Sequence, residues 1–341
     1  MTDLQKRNFH ILCVDDTVTN LKLLNTVLGK VGYKVTLVED GTKALKYLQQ
    51  NPDIDLVLLD VMMPKIDGFQ VCKAIKQSKN KISKIPVIFL TSLSDIDGIR
   101  KGFEAGGIDY IIKPFNKTEL LARIKTHLSL KFYQDQELED IQKELIYMIG
   151  TLADKHSEET GEHVRRVAEY SKLIAKLLGY DDKHAELIKL ASALHDIGKV
   201  TIPDHILNKT SQLNDDEFKI MKMHSQSGYD ILKTPQLPLF DIAATIAYYH
   251  HEKWDGSGYP RGLKGKEIHI LGRIVAFADV FDALSNSRKY KEAWDSGEVF
   301  SFMRSKRSIH FDPKIVDIFS DNYGLFLDIK DKFDNITTKG D

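Results

Sequence analysis

The hydrophobic pattern changes about a third of the way along the chain, and this change constrains the fold more than any other feature. Up to residue 125, short apolar runs alternate with amphipathic segments. This alternation is typical of a parallel α/β sheet. The predicted strands are His10–Val14, Lys34–Val38, Leu56–Leu59, Val87–Thr91 and Tyr110–Ile112. The predicted helices between and after them are Asn20–Val31, Gly41–Gln50, Gly68–Gln77, Ile96–Ala105 and one that begins near Thr118. We therefore predict a doubly wound (βα)5 domain over residues 7–128.

The helix that begins near Thr118 meets no Gly or Pro that would stop it before Gly150. Apolar residues then recur at spacings of three and four, as in a heptad repeat. These residues are Leu138, Ile141, Leu145, Met148 and Leu152. Two interpretations remain open: a coiled-coil homodimer, or one amphipathic helix that packs on its own domain. We assign residues 129–145 as a helical linker continuous with the last helix of the first domain.

After Leu152 the pattern is helical throughout, which predicts an all-α bundle over residues 146–325. The predicted helices are Val164–Leu178, Asp182–His195, Asp215–Lys222, Ser227–Leu232, Ile242–Glu252, Leu271–Leu284 and Ser296–Arg307. Residues 326–341 are assigned as a polar tail, in which Asp328–Asp341 is predicted to fray. A chain of 341 residues is long enough for two such domains.

Composition excludes several classes of protein. Charged residues make up 28% of the chain but nearly cancel, for a formal net charge of −1. This balance argues against a nucleic-acid binder that depends on a strongly basic surface. The N-terminus has no apolar signal core, and no apolar run approaches the roughly 18 residues of a membrane span. We expect a cytoplasmic protein with no membrane contact, whose two cysteines, Cys13 and Cys72, are buried thiols.

Five polar side chains mark the carboxyl ends of the predicted strands. Asp15 and Asp16 follow the first strand and Asp60 follows the third, at the edge where open α/β sheets bind ligands. Adjacent carboxylates repel each other unless they share a cation, and a cluster of oxygen ligands suits Mg²⁺. Thr91 ends the fourth strand with a hydroxyl, and Lys113 ends the fifth with a positive charge.

This set of residues resembles the receiver domain of two-component systems, as does the text from Asp60 to Pro64 followed by Asp67-Gly68. The resemblance implies that a cognate histidine kinase supplies a phosphoryl group to Asp60. It also implies further roles, with Mg²⁺ on Asp15, Asp16 and the Met62 carbonyl, phosphoryl sensing by Thr91 and Lys113, and a switch aromatic at Tyr110.

Nine of the 12 histidines fall between His156 and His269. Glu159 and His163 are four residues apart and share one face of a predicted helix. Other histidines lie near predicted helix ends, in His195-Asp196, at His224 and in His250-His251. Asp279 follows the apolar run Val275–Ala278, where an unpaired charge would be very costly.

A metal centre is the economical explanation for these acids and imidazoles. Imidazole and carboxylate without thiolate suit Fe, Mn, Ni or Zn. Eight candidate ligands exceed what one ion takes, so we predict two or three ions, with Asp196 able to bridge a pair. Closely spaced ions stabilise the attacking and leaving oxygens of phosphoester cleavage.

The order His163, His195-Asp196 and Asp279 resembles the HD phosphohydrolase superfamily. The text from His250 through Gly258-Tyr259-Pro260 resembles its HD-GYP branch. The resemblance covers residues 146–325. It implies an all-α bundle that hydrolyses the bacterial messenger cyclic di-GMP to pGpG, and often on to GMP.

The HD-GYP resemblance also implies roles for individual residues. The implied metal ligands, with Fe or Mn ahead of Ni or Zn, are Glu159, His163, His195, Asp196, His224, His250, His251 and Asp279. Lys199 would act with Asp196 in catalysis and would also bind a substrate phosphate. Arg288 and Lys291 would bind substrate phosphates as well. The loop Gly258-Tyr259-Pro260 is implied as a contact for a partner such as a diguanylate cyclase. Two residues depart from the family pattern: Lys289 replaces a usual proline, and Ser308 a common glycine.

Two alternative functions remain. The chain could bind cyclic di-GMP or a partner protein without turnover, or it could hydrolyse another cyclic dinucleotide such as cyclic GMP–AMP. Turnover by purified, metal-replete protein excludes the first alternative. Product chromatography on both cyclic dinucleotides distinguishes the second.

Overall fold

The computed structural model describes residues 7–92, 96–154, 161–233, 237–286 and 292–337. The chain divides into two compact units, Met1–Glu139 and Asp140–Asp341. Each unit has its own hydrophobic core. The limits predicted from the sequence for the first domain (7–128), the linker (129–145) and the second domain (146–325) stay predictions.

The first unit is built on a parallel sheet with the strand order β2-β1-β3-β4-β5. Its strands are β1 (His10–Val14), β2 (Lys34–Val38), β3 (Leu56–Asp60), β4 (Val87–Thr91) and β5 (Asp109–Ile112). Strands β1, β3 and β4 are buried at every position, as expected when helices cover both faces. Because β1 lies between β2 and β3, the chain order reverses there, which places a ligand-binding crevice at its carboxyl end.

Helices cover the sheet on two sides. They are α1 (Val18–Gly29), α2 (Gly41–Gln50), α3 (Gly68–Lys76), α4 (Ile96–Glu104) and α5 (Lys117–Asp154). Alternate strand residues point to opposite faces, so Leu12 belongs to one core and Ile11 to the other. Helices α2 and α3 contribute to the first core, and α1 and α5 to the second. The predicted doubly wound (βα)5 fold is confirmed.

Helix α5 is 38 residues long and is continuous from the first unit into the second. One row of its side chains, here called the α5 stripe, is apolar and half exposed. Its members are Leu138 (46%), Ile141 (50%), Leu145 (49%), Met148 (58%) and Leu152 (53%). The described part of the chain therefore does not cover this row.

The second unit is a helical bundle, as predicted. Its helices are α6 (Gly161–Leu177), α7 (Asp182–Ser192), α8 (Asp204–Leu207), α9 (Asp215–Leu232), α10 (Pro238–Tyr249), α11 (Ile270–Ser285), α12 (Ser296–Ser305), α13 (Pro313–Asp321) and α14 (Tyr323–Thr337). The core is rich in aromatic rings, and those almost fully buried are Tyr170, Phe277, Phe281, Phe311, Phe319 and Phe326. Within the described ranges, no helix has both the length and the apolarity needed to cross a membrane.

Two predictions about this bundle are wrong. The predicted helices Asp215–Lys222 and Ser227–Leu232 are one helix, α9, because no Gly or Pro interrupts the residues between them. The predicted polar tail from residue 326 is helical up to Thr337. The polar composition of this segment did not indicate that it packs on the bundle. Phe326 fixes it there, because its side chain is completely buried in the core.

Candidate metal centre and phosphoacceptor site

The histidines and acids of the second unit are carried by five neighbouring segments. His163 lies on α6, His195-Asp196 between α7 and the 3-10 helix Ile197–Thr201, His224 on α9, His250-His251 directly after α10, and Asp279 on α11. The helices α6 to α11 pack against one another, so these side chains meet in the interior. Five of them, His163, His195, Asp196, His224 and His250, are buried.

The side chains form two groups that meet at Asp196. In the first group, ligand atoms of His163, His195 and Asp279 lie within 4.8 Å of one another. The second group, within the same limit, is Asp196, His224, His250 and His251. Oδ2 of Asp196 lies 3.3 Å from Nε2 of His195, and Oδ1 lies 3.3 Å from Nε2 of His224. One carboxylate therefore presents an oxygen to each group.

Backbone carbonyls determine which ring nitrogen of three histidines carries the proton. The acceptors lie three residues earlier in the chain: Ser192 for His195 (2.8 Å), Met221 for His224 (2.7 Å) and Ala247 for His250 (2.9 Å). A carbonyl only accepts, so Nδ1 carries the hydrogen and a neutral ring keeps its lone pair at Nε2. Metal-binding histidines are oriented in this way.

The electrostatic environment differs between the two groups. Burial lowers the pKa of His224 to about 4, and burial with the neighbouring His250 holds the pKa of His251 well below its usual value. Burial also lowers the pKa of His195, but the nearby carboxylates, Asp196 first, raise it to about 9. The acids thus favour positive charge at His195, while burial favours the neutral imidazoles of His224 and His251.

Lys199 reaches the same carboxylate from the 3-10 helix. Its Nζ lies 2.6 Å from Oδ2 of Asp196. Burial tends to raise the pKa of Asp196, but Lys199 and His195 hold it well below its usual value. Gly198 allows this segment to lie against α9, since a Cβ there would come within 1.9 Å of the carbonyl oxygen of His224.

In the first unit, the three predicted acids meet at the carboxyl edge of the sheet. Oxygen atoms of Asp15, Asp16 and Asp60 lie within 4.8 Å of one another. Nζ of Lys113 lies 2.7 Å from Asp15 and 2.9 Å from Asp60. Burial raises the pKa of Asp60, although Lys113 opposes this effect. The backbone amide of Met62 lies 3.4 Å from Oδ1 of Asp60.

Thr91, a predicted phosphoryl sensor, and Tyr110, the predicted switch aromatic, line one small cavity beside this edge. Thr91 ends β4 and is buried, and Tyr110 lies on β5. The cavity between them is also lined by Phe89 and Phe103. The rings of Phe103 and Tyr110 are 6.2 Å apart in an edge contact.

Comparison with known proteins identifies both units. The family models described as a response regulator receiver domain and an HD domain match residues 11–125 and 148–315. A protein of Thermotoga maritima named cyclic di-GMP phosphodiesterase is 36% identical over 334 residues, which cover 91% of this chain and 89% of that protein. This chain belongs to the receiver–HD-domain phosphodiesterases.

Two further relatives of this receiver–HD-domain phosphodiesterase differ in coverage. The cyclic di-GMP phosphodiesterase response regulator RpfG of Xanthomonas campestris is 32% identical over 327 residues, which cover 90% of this chain and 86% of that protein. A 3′3′-cGAMP-specific phosphodiesterase 2 of Vibrio cholerae is 43% identical over 194 residues, 57% of this chain and 37% of that protein. The prediction of a metal-dependent phosphodiesterase with an N-terminal receiver is confirmed.

Sequence reasoning missed the partner of His163 in this phosphodiesterase. Asp282, which is 1% exposed, lies 2.7 Å from Nδ1 of His163 through its Oδ2. The same carboxylate accepts two hydrogen bonds from the buried Arg166, at 2.6 and 3.0 Å. Its position three residues after Asp279, inside an apolar helix, was the signal that could have identified it.

Sequence reasoning also missed what holds the Gly258–Pro260 loop. Glu252, which is 2% exposed, accepts hydrogen bonds from two backbone amides later in the loop, at 2.8 and 3.0 Å. The loop places the ring of Tyr259 4.7 Å from that of His251. Burial raises the pKa of Tyr259, so its phenol stays neutral. The loop thus packs directly on the second group of histidines.

Three predicted site residues, Glu159, Arg288 and Lys291, lie outside the described residues, as does Lys289. Their assignments to a third metal ion and to substrate phosphates stay predictions.

Proposed function

We propose that this phosphodiesterase hydrolyses cyclic di-GMP to pGpG, GMP or both, under the control of phosphorylation at Asp60. The observation that carries the proposal is the position of Asp196, which presents one carboxylate oxygen to Nε2 of His195 and the other to Nε2 of His224, each at 3.3 Å. The names of the near-full-length relatives support the substrate.

The donor set fits metal ions. Within the described residues, no hydrogen bond reaches the buried Nε2 of His195 or Oδ1 of Asp196. Such atoms are costly to bury unless another group binds them. We propose two ions on the seven described ligands and a third that involves Glu159, with Fe or Mn preferred and Ni or Zn as alternatives. When bound, such ions activate water and stabilise the charge of the cleaved phosphoester.

The protein's own residues orient the reaction. The carbonyl-bound Nδ1–H groups hold the imidazole rings in place, and Asp282 does the same for His163. The ammonium of Lys199 offsets the anionic charge of the substrate phosphates. Tyr259 covers His251 and limits the access of water to that side. We assign Arg288 and Lys291 to the remaining phosphate contacts.

Cyclic GMP–AMP is the second candidate substrate. It is supported by the 43% identity to the 3′3′-cGAMP-specific relative, although that match covers only 57% of this chain. The near-full-length matches favour cyclic di-GMP.

The decisive experiment combines elemental analysis with product chromatography on both dinucleotides. Wild type is reconstituted with Fe²⁺ or Mn²⁺ and compared with His195→Ala and Asp196→Ala. We expect both variants to lose metal and at least about 100-fold in activity, since loss of an outer-shell partner alone costs 10- to 100-fold. His184→Ala is the control, because His184 is exposed and pairs with Asp181 at the surface. Binding of cyclic di-GMP by metal-replete wild type without turnover would support the non-catalytic alternative.

For the receiver, we propose that Mg²⁺ binds at Asp15, Asp16 and the Met62 carbonyl, and that a histidine kinase phosphorylates Asp60. Thr91, Lys113 and Tyr110 would respond to the phosphoryl group. Acetyl phosphate with Mg²⁺ should phosphorylate wild type and change its hydrolysis rate. Asp60→Asn should abolish both effects, and Asp53→Asn, at an exposed position, should abolish neither. A response that persists in Asp60→Asn contradicts this control mechanism.

We further propose that the α5 stripe pairs two copies of the chain, and that the Gly258–Pro260 loop contacts a diguanylate cyclase-type partner. The exposure of the stripe and its heptad spacing support the homodimer.

A further inference from the structure

Lys199 lies between two carboxylates, and only one of them belongs to the metal centre. Its Nζ lies 2.6 Å from Oδ2 of Asp196 and 3.2 Å from Oδ1 of Asp154. Asp154 is the last residue described in α5, and its side chain is 1% exposed. A carboxylate buried this deeply is costly unless it is paired. Asp154 is therefore not an ordinary solvated acid at a helix end.

The last turns of α5 are shaped to bring Asp154 to this place. Gly150 lies four residues earlier, on the same helix face. A Cβ at Gly150 would come within 2.1 Å of the carbonyl oxygen of Ala193, two residues before His195. Tyr147, one turn further back, packs with Ala193 in the same buried cluster. The helix thus lies directly against the segment that leads into the metal centre.

The charges suggest different tasks for the two carboxylates. Asp196 faces the imidazoles of both groups and belongs to a candidate ligand set, so it would share its charge with any bound cation. Within the described residues, Asp154 belongs to neither ligand group.

We propose that Asp154 is a positioning residue that holds the ammonium of Lys199 beside Asp196, ready to meet a substrate phosphate. This inference rests on the proposed function, because it takes the substrate to be a phosphodiester that Lys199 binds. The competing explanation is that the pair only fastens α5 to the bundle. In that case its loss would lower stability and leave the kinetics of the folded enzyme unchanged.

A double-mutant cycle on the full-length, metal-loaded protein separates these explanations. Asp154→Asn should keep its metal content and lower kcat/KM by about 10- to 100-fold, as expected for an outer-shell partner. Asp154→Glu should restore part of the activity. In a Lys199→Met background, Asp154→Asn should cause no further loss. Asp140→Asn is the matched control, an acid on the same helix that is 66% exposed.

A second measurement does not require turnover. Amine-selective acylation, followed by mass spectrometry of the peptide that contains Lys199, reports how tightly the ammonium is held, with or without metal. Asp154→Asn should raise the labelling rate several-fold, Asp154→Glu should raise it less, and Asp140→Asn should not change it. If wild type hydrolyses no cyclic dinucleotide, the proposed function fails while the labelling still tests the contact.

Three results would overturn the inference. One is unchanged labelling of Lys199 in Asp154→Asn. Another is a loss of kcat/KM in Asp154→Asn/Lys199→Met that equals the product of the losses in the two single variants. The third is a loss of thermal stability with wild-type kcat and KM, which would show a fastening role only.

Discussion

At the scale of single residues, the metal centre depends on side chains that hold other side chains. His163 is held by Asp282, and Asp282 is neutralised by Arg166 in a two-point ion pair. Both members of that pair are buried, so removing Asp282 takes from Arg166 its buried partner and leaves it the more distant, partly exposed Glu162 at 3.5 Å. This arrangement makes Asp282 important for stability and for the geometry of the ligands at once.

We expect Asp282→Ala to lower the free energy of unfolding by about 3–5 kcal/mol, the cost of breaking a buried pair. Metal affinity should fall by about 10- to 100-fold, because the ring of His163 loses its orientation. Urea unfolding and metal titration measure the two effects. Asp317→Ala is the control, since Asp317 pairs with Arg307 in the same two-point geometry but at 56% exposure. Its loss should leave the free energy of unfolding almost unchanged, because both partners are exposed, and an equal loss in both variants would contradict this prediction.

Ser308 offers a second test at this scale. Its φ is +62°, in the left-handed region that favours glycine. A left-handed backbone conformation costs an L-residue about 1–2 kcal/mol. Glycine avoids this cost, but its larger loss of conformational entropy on folding offsets about 0.5–1 kcal/mol of the gain in stability. Ser308→Gly should therefore raise the free energy of unfolding by about 0.5–1 kcal/mol. Ser308→Ala should give no such gain. Thermal melts of wild type, Ser308→Gly and Ser308→Ala measure the difference in stability.

At the scale of elements, α5 has two faces with different uses. Its inner face carries Tyr147, Gly150 and Asp154 and is buried in the bundle. Its α5 stripe is exposed, with a spacing that suits a second copy of the same helix. The sequence predicted the stripe but left its partner open.

We expect wild type to be a dimer in solution and Ile141→Glu/Leu145→Glu to be a monomer, because two buried like charges would face each other across the seam. Analytical ultracentrifugation measures the change. Gln142→Glu, at an exposed position of the same helix, should remain a dimer. A monomeric wild type at micromolar concentration would show that the stripe has another purpose.

At the scale of the whole molecule, α5 is a helix that continues from the receiver unit into the HD-domain unit. Its 38 residues correspond to about 57 Å of helix. A change at its start can reach Asp154 only if the helix stays intact and keeps its phase.

We therefore expect a Gly-Gly insertion after Gln136 to abolish the response to acetyl phosphate, while Asp60 is still phosphorylated and basal hydrolysis persists. Two glycines weaken the helix and rotate its remainder out of phase. A seven-residue helical insertion at the same place keeps the heptad phase and should retain the response. Hydrolysis assays with and without phosphodonor test both insertions, and a normal response in the Gly-Gly protein would exclude the helix as the route.

The amino-acid sequence by itself determined the five strands, most of the helices, the two-domain organisation and the choice of candidate ligands. These features follow from local periodicity and from motifs of a few residues. Where local signals were weak, as between the two halves of α9 and in the polar face of α14, the prediction failed.

Only the tertiary structure decided which side chains support the ligands. Asp282 meets His163 across 119 residues of sequence, and Asp154 meets Lys199 across 45. Such contacts are selected by the packing of whole helices and by the need to pair every buried charge, and neither constraint leaves a periodic trace in the sequence. Short motifs in the sequence thus identify the candidate ligand side chains. Their arrangement depends on the whole fold, because only the assembled fold determines which side chains are buried together.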